Sequence, residues 1–259
     1  YIYNLRTDKY VHLYSSKDDP YSLSDNAVYS LCEDREGGIW VGSYFGGVDY
    51  YPKSYTYFEK YYPKDGDNNL HGKRVREFCE DNKGILWIGT EDGGLNRFDP
   101  KTKTFSFFAP SFGFTNIHGL CMVGDKLWVG TFSKGLKIVD TNTGNILKTY
   151  QKNDSPRSLI DNSIFAICRT TTGDIYLGTM FGLLRYNEQT DDFDRIEELA
   201  GRFVYDIKED SGGNLWLATY VNGAYCYNVS EKKWKNYVHN ESNKESLPYD
   251  KVLSIFEDS

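Results

Sequence analysis

No apolar run in the chain approaches the 18 or more residues of a membrane span, and no secretory signal opens it. Basic residues are in deficit: 30 Lys and Arg against 37 Asp and Glu leave a net charge of −7, which argues against a nucleic-acid partner. No window of helical length carries a 3.6-residue apolar period, although Arg195 to Gly201 suits a short turn. There is no Ser-His-Asp ordering, GxSxG, HExxH or phosphate-cradling glycine loop. There is no CxxC or Cys/His spacing for zinc either. The four histidines are scattered and no pair of carboxylates is singled out by position, so neither an active site nor a cofactor is expected. Proline is scarce, at 7 residues, but glycine is not, at 24, and Tyr, Phe and Trp make up 16% of the 259 residues. Such a chain is folded, rich in tight turns and long enough to bury a core. Tyr1 without a preceding Met, and Ser259 falling in mid-pattern, are expected marks of a piece of a longer protein.

Self-comparison shows five copies of one pattern: an apolar stretch, an acidic or Gly-bearing turn, an aromatic anchor, Gly-Thr or its equivalent, then a Gly-containing loop. The anchors are Trp40, Trp87, Trp128, Tyr176 and Trp216, at intervals of 47, 41, 48 and 40 residues. Around Trp87 the unit reads as four strands: Val75 to Glu80, Leu86 to Thr90, Leu95 to Phe98 and Thr104 to Phe108. Turn residues punctuate it at Asp81-Asn82-Lys83-Gly84, Gly93-Gly94 and Asp99-Pro100. A period of 40–50 residues with four strands predicts an all-β fold, a β-propeller of four-stranded antiparallel blades. The blades are expected at 25–70, 71–113, 114–160, 161–201 and 202–249, with 1–24 ending one blade and 250–259 starting another. Five complete blades and one split between the termini fit either a closed six-bladed ring or a fragment of a larger propeller.

The repeated residues have structural readings. Each anchor packs between neighbouring sheets. Asp34, Asp81 and Asp210, each followed three residues later by Gly, are turn residues whose carboxylates accept backbone N–H groups while Gly takes positive φ. These turns resemble sialidase Asp-boxes, but no arginine cluster or Tyr/Glu pair for sialic-acid chemistry accompanies them. One Asp per turn is also too few ligands for calcium. Cys32, Cys79, Cys121 and Cys168 fall at equivalent positions seven or eight residues before their anchors. Equivalent positions in face-packed sheets lie about 10 Å apart, too far for a disulfide. These repeat-position cysteines are therefore expected to be free thiols filling small buried sites, and Cys226 stands alone on a third strand.

The variable positions are candidates for binding. Loops between second and third strands follow strongly repeated strands yet differ sharply in content. Their tips hold Tyr44, Phe45, Phe132, Phe181 and Tyr220 beside Glu91, Asp92, Lys134 and Asn222. Aromatic faces with polar neighbours suit the C–H surfaces and hydroxyls of a sugar. Just below, Tyr29, Arg76, His118, Phe165, Tyr205 and Leu253 on the first strands are expected at the mouth of the central channel, with Arg76 the natural partner for a carboxylate or sulfate.

The connections between blades carry a second repeat: Asp19-Pro20-Tyr21-Ser22-Leu23-Ser24-Asp25-Asn26 recurs as Asp154-Ser155-Pro156-Arg157-Ser158-Leu159-Ile160-Asp161-Asn162. Weaker copies are Asp67-Asn68-Asn69-Leu70 and Glu245-Ser246-Leu247-Pro248. Joined to the pattern running from Glu80 to Asp99, this resembles the two-component-regulator propeller repeat over essentially the whole chain. The third and fourth units depart most, with Gly124-Asp125 for the acidic turn and Tyr176 for Trp. The resemblance implies the periplasmic sensor segment of a Bacteroides-type hybrid histidine kinase anchored in the inner membrane. It further implies an oligosaccharide ligand, a homodimeric parent receptor and control of polysaccharide-utilisation genes. No phosphoacceptor motif or receiver domain is present, so this segment would sense without catalysing. A protein-docking scaffold is the alternative. A propeller lyase or hydrolase is a third reading, for which no catalytic His with a metal or acid partner can be placed.

Overall fold

The computed structural model describes residues 1–19, 21–53, 59–64, 66, 68–107 and 115–258; Pro20, Asp67, Phe108 and Ser259 lie outside them. It is all-β apart from one short 3-10 turn, Glu197–Leu199, within the stretch expected to turn. Two compact units divide the chain, Tyr1–Lys64 and Asp65–Ser259.

The first unit has two sheets. Strands β1 (Ile2–Asn4) and β2 (Lys9–Val11) form an antiparallel hairpin, the expected end of a blade. Strands β3 (Val28–Glu33), β4 (Ile39–Ser43) and β5 (Val48–Tyr51) form the described part of the Trp40 blade.

The second unit has four four-stranded antiparallel sheets, each in sequential order. The Trp87 blade is β6 (Val75–Glu80), β7 (Leu86–Thr90), β8 (Gly94–Asp99) and β9 (Thr104–Phe107). The Trp128 blade is β10 (Ile117–Val123), β11 (Lys126–Thr131), β12 (Leu136–Asp140) and β13 (Ile146–Tyr150). The Tyr176 blade is β14 (Ile164–Arg169), β15 (Ile175–Thr179), β16 (Gly182–Asn187) and β17 (Asp192–Ile196). The Trp216 blade is β18 (Val204–Glu209), β19 (Leu215–Thr219), β20 (Ala224–Asn228) and β21 (Lys233–Tyr237).

Blades of the second unit pack face to face because their second and third strands are apolar on both sides. One core cluster takes Trp87 and Leu95 from one blade and Ile117, Leu127 and Val129 from the next. The following two clusters repeat this, with Trp128 and Leu136 against Ile164 and Leu177, then Ala166 and Leu183 against Val204 and Leu217.

The Asp turns hold their anchors as well as the chain reversal. Asp81 Oδ1 accepts the N–H groups of Lys83 and Ile85 at 2.9 and 3.0 Å, and Oδ2 accepts the Trp87 indole N–H at 3.1 Å. Asp34 binds the Trp40 indole at 2.9 Å, and Asp210 the Trp216 indole at 2.8 Å. Gly37, Gly84 and Gly213 sit at φ +80°, +77° and +79°. Asp and Trp therefore act as one device. Where Trp is replaced by Tyr176, Asp is replaced by Thr170, whose hydroxyl donates to the Asp174 carbonyl at 3.2 Å.

The repeat in the connections has an equally plain cause. Ser158 Oγ accepts the N–H of Asn153 and donates to its carbonyl, while Asn162 Oδ1 accepts the N–H of Lys152. Ser22 makes the same pair of bonds with Ser16, Asn26 accepts from Ser15, and Ser246 repeats the pair with Asn240. The hydroxyl locks the exit from one blade, and the amide locks the entry to the next.

Lys251–Ser259, read as a first strand, forms no ladder among the described residues. It nevertheless occupies a first strand's place beside the Trp216 blade. Glu257 accepts both N–H and O–H of Ser211, as Glu209 does for Thr171 one blade earlier. Ladder hydrogen bonds need an antiparallel neighbour, which these side-chain bonds do not supply.

Candidate functional site

Every first strand carries the same irregularity. Its register on the second strand slips between Val28 and Ser30, Val75 and Glu77, Ile117 and Gly119, Ile164 and Ala166, and Val204 and Asp206. Two residues then oppose one, and the extra residue is freed from the ladder and re-aimed. The freed residues are Tyr29, Arg76, His118, Phe165 and Tyr205, the variable set expected at the channel mouth.

In the second unit these residues converge. The Arg76 guanidinium lies 4.5 Å from the centre of the Tyr205 ring, so side chains from the first strands of its outermost blades meet. Tyr205 stacks on Phe165 at 5.7 Å, and Phe165 meets His118 edge-on at 4.8 Å. The loop tips close over this layer: Phe132 is 5.6 Å from His118, and Tyr220 stacks on Phe203 at 5.3 Å. Backbone bonds hold the tips down, from Phe132 N to Asn116 O and from Tyr220 N to Phe203 O, both 3.0 Å.

The expected site residues divide accordingly. Arg76, Phe132 and Tyr220 join one aromatic cluster, and Glu91 Oε1 stands 3.8 Å from His118 Nε2, beyond hydrogen-bonding reach. Asp92 serves the framework, accepting the N–H groups of Lys73 and Arg74. Lys134 Nζ donates to Thr115 at 3.3 Å. The Asn222 backbone N–H donates to Thr219. Phe181 is half exposed and stacks on no ring among the described residues. In the first unit Tyr44 packs between Phe45 and Tyr29, at 4.3 and 5.0 Å. Leu253 is exposed. Phe203, Asn116, Arg202 and Lys251 also belong to this face of the second unit. Their only sequence signal is position at or just before a first strand.

Polar satisfaction at this face is incomplete. Four buried side-chain atoms among the described residues lack a hydrogen-bond partner: Asn116 Oδ1, both ring nitrogens of His118, and Arg202 Nε. All belong to residues at the start of β10 or just before β18, beside the aromatic cluster. Burial, aided by the nearby Arg76 charge, pulls the His118 pKa down to about 4. The ring is therefore neutral at pH 7, with one nitrogen a donor and the other an acceptor.

A cleft of about 880 Å³ lies elsewhere, between the Trp128 and Tyr176 blades at the opposite strand ends. Its polar groups satisfy one another: the hydroxyls of Tyr150 and Tyr186 and the ammonium of Lys148 all reach Asp191, and Arg185 binds Asp174 at 2.6 Å. Unlike the mouth, it leaves no buried polar atom unpaired.

Among the described residues, no group of three or more His, Cys, Asp or Glu has metal-holding geometry, and no helix is long and apolar enough to cross a membrane. All five cysteines are free. Burial pushes the thiols of Cys79, Cys121 and Cys168 up to about 11, 12 and 11. Cys226 is buried, whereas Cys32 departs from the expectation of a buried site: β3 is exposed along its whole length, and its thiol with it. Iodoacetamide on the native protein at pH 8 should alkylate Cys32 first and the others at least ~10-fold more slowly, as thiolate, not thiol, reacts. Peptide mapping by mass spectrometry reads this; equal rates at all five would contradict the burial.

Three stretches match the model of the two component regulator propeller: residues 22–45, 69–92 and 198–221. Each runs from a connection through the first two strands to a loop tip. Among solved structures, the extracellular domain of a one component system from B. thetaiotaomicron is 18% identical, with a TM-score of 0.54, over 92% of this chain and 40% of that one. PorZ, a surface component of the type-IX secretion system of Porphyromonas gingivalis, is 19% identical, with a TM-score of 0.58, over 88% and 35%. Virginiamycin B lyase from Staphylococcus aureus is 13% identical, with a TM-score of 0.50, over 83% and 71%. These likenesses establish the propeller fold. The chain spans about two fifths of the length of the first of them. Among curated proteins no match was found.

Proposed function

We propose that this chain, whose blades carry two-component-regulator propeller repeats, is the extracytoplasmic ligand-sensing segment of a hybrid two-component signalling protein, and that its ligand is an oligosaccharide. The observation that carries the reading is the coincidence, at the channel mouth, of four unpaired buried polar atoms with a cluster of aromatic rings. A buried donor or acceptor without a partner costs about 1–3 kcal/mol, which a ligand able to pair it returns. Sugars offer adjacent hydroxyls that both donate and accept, together with C–H faces that stack on rings. A neutral His118 fits two such hydroxyls. In this reading the segment is periplasmic and its parent is a homodimer anchored in the inner membrane. Ligand binding biases the arrangement of the two subunits, and the output governs genes for polysaccharide use. The segment itself does no chemistry.

A thermal-shift screen with neutral and acidic oligosaccharides tests it. A ligand that binds only the folded state raises the midpoint by mass action. Phe132→Ala and Tyr220→Ala should each weaken that ligand by roughly 10-fold or more, the worth of a lost ring contact. Were no saccharide to raise the midpoint while a protein partner did so, a docking scaffold would take its place.

A further inference from the structure

Resting on the reading of the mouth as a saccharide site, we infer that the ligand carries an acidic group, a carboxylate or sulfate, which is received by Arg76 and Lys251.

The chain is acidic overall, at −7, yet two cationic side chains at the mouth, Arg76 and Lys251, take no carboxylate among the described residues. Arg76 lies over Tyr205, and Lys251 Nζ is 4.4 Å from the centre of the Tyr220 ring and 3.2 Å from its hydroxyl oxygen. The two rings are 6.2 Å apart, so the cations flank one aromatic surface. The ion pairs among the described residues use Lys148, Arg157, Arg185 and Lys208; neither Arg76 nor Lys251 takes a carboxylate. A half-buried guanidinium without an anion keeps part of its desolvation cost, of which a ring face returns only a fraction.

Nearby acids are otherwise engaged. Asp92 is held by two backbone N–H groups; Glu91, 3.8 Å from the neutral His118, pairs with neither Arg76 nor Lys251. One residue below the mouth, Asp206 accepts from Ser254 and Ile255 and stands 3.7 Å from Lys208. The Glu77 carboxyl is raised by burial, toward its neutral form. His118, neutral at pH 7, adds no charge. Arg76 therefore carries the local positive charge in a planar fork suited to bidentate recognition of an acid. The ligand's sugar rings then lie along Tyr220 and Phe203, and its hydroxyls reach His118.

The test titrates the chain with an oligogalacturonate, its methyl ester, a sulfated oligosaccharide and a panel of neutral oligosaccharides, by calorimetry at two salt concentrations. The expected result is binding of the free acid or the sulfate, at least ~10-fold weaker binding of the ester, and a loss that grows with salt. Arg76→Gln and Lys251→Gln should each weaken the acid by ~10-fold or more, with Arg76→Lys recovering part. Lys251 is exposed, so its variant leaves the fold intact, and melting of each unliganded variant checks this. Neutral sugars binding as tightly as acids would overturn this inference and leave the saccharide reading standing. Binding of no saccharide at all would overturn both. An acid bound equally well by Arg76→Gln and Lys251→Gln would overturn their assignment.

Discussion

Trp87→Ala is expected to lower the free energy of unfolding by about 3–5 kcal/mol, the range for removing a buried Trp ring. Trp87 is fully buried in the cluster shared by two blades, and its indole N–H is bound by Asp81, itself 8% exposed. Alanine leaves a cavity and frees a buried carboxylate oxygen in one step. Asp81→Asn should cost less, about 1–3 kcal/mol, through weaker bonds to Lys83, Ile85 and the indole. Trp40→Ala supplies the contrast. That ring is bound by Asp34 in the same way but is 44% exposed, so a loss nearer 1 kcal/mol is expected. Urea denaturation with unchanged m-values measures all three. Equal losses at Trp40 and Trp87 would mean that the Asp–indole bond, and not packing between blades, holds the anchors.

Gly135→Ala is expected to cost on the order of 3–5 kcal/mol, combining backbone strain with overpacking. Gly135 sits at φ +77°, where an added Cβ would run into the carbonyl oxygen of Tyr150, while its own N–H donates to Asn162 O at 2.9 Å. It therefore ties the Trp128 blade to the connection that starts the next one. Gly84→Ala isolates the strain alone: φ is also +77°, but the nearest atom to a Cβ is the flexible end of Glu80 at 3.7 Å. A cost of about 1–2 kcal/mol is expected there. Gly223 repeats the Gly135 arrangement against Tyr237 O, with its N–H bound by Asp250 O at 2.8 Å, so its alanine variant should match. Losses equal to that of Gly84→Ala would show that the connection yields at little cost.

Legibility in the sequence followed the repetition of the physical problem. Val75 to Glu80 and Leu86 to Thr90 were readable to the residue, because each blade must bury the same faces with the same turn. Cys79, Cys121 and Cys168 were readable as free thiols on the same ground. The mouth was only half legible. Tyr29, Arg76, His118, Phe165 and Tyr205 stand out as variable positions between repeated ones, and the bulge that re-aims them gives that variability its cause. Asp92 had the look of a ligand group but is bound to the backbone of its own connection. Lys251 had no pattern to mark it: its role arises from meeting Tyr220, 31 residues earlier in the chain.

The sequence by itself determined the scaffold: period, strand order, the Asp–Trp turns and the Ser and Asn locks between blades. Each is a local solution repeated at short range, and repetition leaves a trace in one dimension. Only the tertiary structure decided which divergent residues share a surface. Arg76 and Tyr205 are 129 residues apart and touch because the stacking of intervening blades turns their first strands toward one channel. That meeting depends on the angle accumulated between sheets, and side-chain spacing along the chain carries no record of an angle.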